Sequence, residues 1–64
     1  MKMENVEIGM SVTLTNGYGG RLFAGETYTV LRQQFQTGGE FFVVDHEGTD
    51  SYLSPSCEDF EPAP

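Results

Sequence analysis

The sequence predicts a small all-β domain of four to five short antiparallel strands, and three observations carry that prediction. Residues 27–32 alternate, with Tyr28 and Val30 on one face and Thr27, Thr29 and Leu31 on the other, the period-2 pattern of a strand. Phe41, Phe42, Val43 and Val44 form an unbroken apolar run suited to burial on both faces. The flanking glycines leave no room for a helix. Gly38-Gly39 offers the positive φ of a tight turn between the two strands. Asp45-His46-Glu47-Gly48 supplies a second turn, with Gly48 in the left-handed place that ends a type I turn with a bulge.

Taken in order, residues 1–8 are a polar, loose lead-in in which Val6 and Ile8 could start a strand. Met10, Val12 and Leu14 then alternate with Ser11, Thr13 and Thr15 to give a first strand. Asn16-Gly17-Tyr18-Gly19-Gly20 breaks regular structure, since closely spaced glycines make extended or helical geometry entropically costly. A long loop carrying Tyr18, Arg21 and Phe23 therefore leads to the central hairpin, with Leu22, Phe23 and Ala24 returning to the core. The polar stretch Gln33-Gln34-Phe35-Gln36-Thr37 reads as part of the hairpin turn. Ser51-Tyr52-Leu53 makes a short fourth strand. Ser54 suits an N-cap and Pro55 a first helical position, which predicts one helical or 3₁₀ turn. Phe60 then anchors a last strand before a Pro-rich tail at 62–64. Curling such a sheet limits its exposed edges, so the expected architecture is a small barrel filling residues 1–64 as one domain.

Composition bounds the function. A chain of 64 residues buries only about 60% of its unfolded surface, so its stability is expected to be a few kcal/mol, at about the low end for globular domains. Ten acidic residues stand against Lys2, Arg21 and Arg32, for a net charge of −7. Nucleic-acid binding rests on cations that neutralise phosphates, and this chain is short of them; the same balance disfavours anionic membranes. It suits steering toward a basic partner. Cys57 is the single cysteine, so an internal disulfide is excluded and a reducing, cytoplasmic setting is expected. No apolar segment approaches the roughly 20 residues of a membrane span.

Gly25-Glu26-Thr27-Tyr28-Thr29-Val30, then Val43-Val44-Asp45-His46-Glu47-Gly48, then Asp59-Phe60-Glu61-Pro62 occur in this order. The set resembles small SH3-like proteins common in bacteriophage genomes, over roughly residues 8–62. The resemblance implies an SH3-like barrel and a phage or bacterial origin. It implies no catalytic or binding residues. The chain departs from the peptide-binding SH3 domains of signalling proteins, because it has no Trp for a proline groove and no acidic stretch in its first long loop.

No catalytic, cofactor-binding or metal-ligating set is read from the residues. His46, the only histidine, falls in a turn and reads as solvated. Cys57 lacks an evident base and reads as a small half-buried residue. Asp45, Glu47 and Asp50 are close in sequence but do not follow the spacing of a calcium loop. Glycines 17, 19 and 20 lack the Lys and the following helix of a phosphate loop. The aromatic residues carry more. Exposed aromatics on loops mark protein interfaces, because they bury area with few rotors to freeze. The candidate interaction residues are thus Tyr18 and Phe35, with Arg21, Phe23 and Tyr52. The expected function is a non-enzymatic interaction module that binds a protein, such as a host protein, or a second copy of itself. The alternative is an acidic nucleic-acid mimic built on Asp45/Glu47/Asp50 and Glu58/Asp59/Glu61.

Overall fold

A computed structural model of the chain describes residues 2–17 and 22–63, with Gln36 by its backbone alone. Five strands form one antiparallel sheet: β1 Ser11–Leu14, β2 Thr27–Gln36, β3 Gly39–His46, β4 Thr49–Leu53 and β5 Phe60–Pro62. Their spatial order is β4-β3-β2-β1-β5. The sheet is open, because no ladder joins β4 to β5 among the described residues. The expected barrel closure is therefore corrected to an open sheet wrapped on one core. Val12, Leu14, Tyr28, Val30, Phe42, Val44, Leu53 and Phe60 bring all five strands into that core, and Met3, Val6 and Leu22 complete it.

The alternation expected of β1 and of the first half of β2 is present. Val12 and Leu14 are buried and alternate with Ser11 and Thr13, while Tyr28 and Val30 are buried on β2, Tyr28 directly opposite Val12. Val43 is buried as well, on the face away from the core cluster, so the apolar run of β3 is indeed covered on both sides.

β2 is longer than expected. Residues 33–36 continue the strand, and only Thr37-Gly38 turns. The added residues pair with β3 as far as Gln36 with Gly39, beyond a bulge: Val30 pairs with Val44, but Arg32 pairs with Val43, which leaves Leu31 as the extra residue. A bulge moves the side chains beyond it to the other phase. Even-numbered residues face the core before Leu31, and odd-numbered ones, Gln33 and Phe35, share that side after it.

The two ends of the chain also differ from expectation. Met3–Asn5 is a 3₁₀ turn, the only helical element among the described residues, with Met3 wholly buried. It is held by Met3 N–H to the Cys57 carbonyl and Glu4 N–H to the Pro55 carbonyl, both 2.9 Å. Burying a methionine side chain, worth roughly 1.5–3 kcal/mol, makes this segment part of the domain rather than a loose lead-in. Ile8 belongs to no strand and is exposed. Between β4 and β5 there is no helical turn. Ser54 instead starts a single β-turn, its carbonyl accepting from Cys57 N–H at 3.0 Å and its Oγ from Ser56 N–H at 3.3 Å. The serine hydroxyl satisfies the turn locally, in competition with helix. Pro62 pairs with Val12 inside β5, at an edge, where a missing N–H is tolerated.

Candidate functional site

Two clefts flank β4, and the strand's alternation sets both. The larger, of about 480 Å³, is lined by Leu22, Tyr52, Leu53, Ser54, Ser56, Cys57, Glu58 and Asp59. Tyr52 and Leu53 project to opposite faces of β4, so a cavity touching both wraps the end of that strand. Leu53 and Leu22 are buried at its base, whereas Tyr52 is 43% exposed. Glu58 and Asp59 add carboxylates, and Cys57, half-buried and packed against the core, lines the same cavity.

The smaller cleft, of about 190 Å³, is lined by Phe23, Tyr28, His46, Glu47, Thr49 and Ser51. His46 is the last residue of β3, on the same face as Phe42 and Val44, and this corrects the reading of a solvated turn residue. Its ring lies 4.9 Å from that of Tyr28. Nδ1 sits 3.0 Å from the Thr27 carbonyl; a carbonyl only accepts, so Nδ1 carries the proton. That leaves Nε2 facing Glu26 Oε2 at 3.6 Å and Glu47 Oε2 at 3.7 Å. Tyr28 Oη accepts from Phe23 N–H at 3.1 Å, which fixes the loop that returns from β1. Glu47 and Gly48 both have positive φ, 52° and 82°. The β3–β4 connection is accordingly a two-residue type I′-like turn rather than a type I turn with a bulge.

The predicted interaction residues that are described, Phe23, Phe35 and Tyr52, do not converge. Phe23 is 51% exposed beside the smaller cleft and not in the core, because its neighbour Leu22 takes the inward place. Tyr52 borders the larger cleft. Phe35, 81% exposed, stands at the far end of the β2–β3 hairpin opposite Glu40. Tyr18 and Arg21 lie outside the described residues. Sequence reasoning missed Leu22 and Leu53 as the base of a cavity; their apolar character alone does not separate a cleft wall from the core.

Charge is spread over several surfaces. Asp45 and Asp50 are direct cross-strand partners, a like-charge pair that disfavours its own ladder, and Arg32 lies 4.0 Å from Asp50. Glu47 is on the turn, Glu58 and Asp59 are in the larger cleft, and Glu61 is on β5 at the other edge of the sheet. Among the described residues, no group of three or more His, Cys, Asp or Glu side chains is placed to hold a metal ion. His46 and Cys57 line different clefts. No helix among the described residues is long and apolar enough to cross a membrane. No protein-family model, curated protein or solved structure matches the chain.

Proposed function

We propose that the chain is a non-enzymatic, SH3-like protein-interaction module of phage or bacterial origin, working in the cytoplasm and binding its partner through the larger cleft. The SH3-like assignment is supported by the strand order, in which a β2-β3-β4 meander continues through β1 to a short β5, and by the long connection between β1 and β2. One observation carries the binding reading. The cleft of about 480 Å³ has an apolar base of Leu22 and Leu53, a half-exposed aromatic lip in Tyr52, and carboxylates at Glu58 and Asp59. Apolar cavities with a few convergent polar groups are where ligands dock, and a rigid aromatic at the lip is the residue type that dominates interface energetics.

Affinity capture from bacterial lysate with the wild-type protein and with Tyr52→Ala tests this. The expected result is one dominant protein retained by the wild type and lost with Tyr52→Ala, while circular dichroism shows the variant folded. Equal capture by both proteins overturns the role of the cleft. The acidic-mimic alternative has less support, because its carboxylates are divided among the outer face of β3–β4, the cleft and the opposite edge. Its signature is release of nucleic-acid-binding proteins at modest salt.

A further inference from the structure

The two edges of the sheet are protected unequally. β5 is three residues long and ends in Pro62, which are devices that blunt an edge. β4 has neither a proline nor a lysine, and it runs in unbroken register with β3 from Thr49 to Leu53. The turn geometry says which of its groups are free to pair. In a two-residue hairpin the closing pair, His46 and Thr49, is hydrogen-bonded, and the antiparallel ladder then alternates. Ser51 and Leu53 therefore bond to β3, and the N–H and C=O groups of Asp50 and Tyr52 point away from it. Among the described residues no backbone group bonds to that outer rim.

We propose that the outer rim of β4 takes an extended, Lys- or Arg-bearing peptide as a sixth strand. This goes beyond the cleft reading and does not rest on it. Main-chain pairing to Asp50 and Tyr52 would supply the docking, as in other strand additions, and charge selects the occupant. Asp50 faces Asp45 across the ladder, Glu47 stands at one end of the strand, and Glu58 and Asp59 line the cavity at the other. A basic side chain placed beside Asp50 would relieve the Asp45–Asp50 pair, which among the described residues is approached by Arg32 alone, at 4.0 Å from Asp50. A second basic side chain two residues along would lie over the half-exposed ring of Tyr52. A second copy of the chain would bring a net charge of −7 against −7, which disfavours self-pairing.

The test uses the blocked peptide acetyl-Lys-Val-Lys-Val-Lys-Val-amide as probe, with backbone amide exchange read by NMR. Saturating peptide is expected to slow exchange at Asp50 and Tyr52 at least tenfold and to leave Ser51 and Leu53, already bonded to β3, unchanged. Two N-methylated versions, one on the lysines and one on the valines, keep the charge and each remove one alternate set of N–H donors. One is expected to bind like the parent and the other at least tenfold more weakly, and Asp50→Lys is expected to weaken the parent peptide at least tenfold. The proposal is overturned if both methylated peptides bind like the parent, or if no protection appears at millimolar peptide. Concentration-dependent protection of β4 without peptide also overturns it, by making a second copy the occupant.

Discussion

The two halves of β2 share one partner strand and one backbone conformation, yet they do different work. Before Leu31, Tyr28 and Val30 are buried in the core; after it, Phe35 is 81% exposed. The bulge lies between them. It brings Phe35 round to the core side of the sheet, but at a point where only Glu40 stands opposite and the core has run out. Pairing thus defines the strand, while packing confines the stabilisation to one half of it. An aromatic side chain contributes to stability only where other elements enclose it.

The largest effect expected from this contrast is at Tyr28. Truncating a buried aromatic to Ala costs about 3–5 kcal/mol, comparable with the whole stability of so small a domain. Tyr28→Ala is therefore expected to be largely unfolded at 25 °C by near-UV circular dichroism, and a cooperative urea transition near that of wild type would show that the near half does not hold the core. Tyr28→Phe keeps the ring and removes only the acceptor for Phe23 N–H. It should lower stability by about 1 kcal/mol, with faster amide exchange at Phe23. The smallest effect belongs to the far half: Phe35→Ala is expected to change the urea-derived stability by less than about 0.5 kcal/mol. A loss of 2 kcal/mol or more would mean that the hairpin end packs like the near half.

The same bulge explains where the sequence was legible. Val12, Leu14, Tyr28, Val30, Phe42 and Val44 follow strict two-residue periodicity, and each is buried as that pattern requires. Residues 33–36 are polar around a single Phe, and strands that bury no face leave no periodic trace, so this stretch resembled a turn. His46 looked solvated because its neighbours are acidic; its position on the core face follows only from the register of β3 with β2 and β4. Met3 was illegible for a different reason, since the carbonyls that hold its turn in place belong to Pro55 and Cys57, far away in sequence. Of the candidate site, Tyr52 could be named from its aromatic character, but the cleft beside it comes from the meeting of Leu22, Leu53 and the turn after β4, which no local pattern encodes.

The position of β1 has a consequence for how the domain comes into being. β1 is made before the β2-β3-β4 meander, but it lies between β2 and β5, and its pairing of Val12 with Pro62 joins residues that the whole meander separates in sequence. Contacts that distant must overcome loop-closure entropy before they stabilise anything. On the ribosome, the β2-β3-β4 meander can pair as it emerges, while Val12 and Leu14 remain incompletely covered until Phe60 leaves the exit tunnel. The nascent chain therefore carries an unsealed apolar seam from the emergence of β1 until β5 follows, and the fifth strand is the one that covers it.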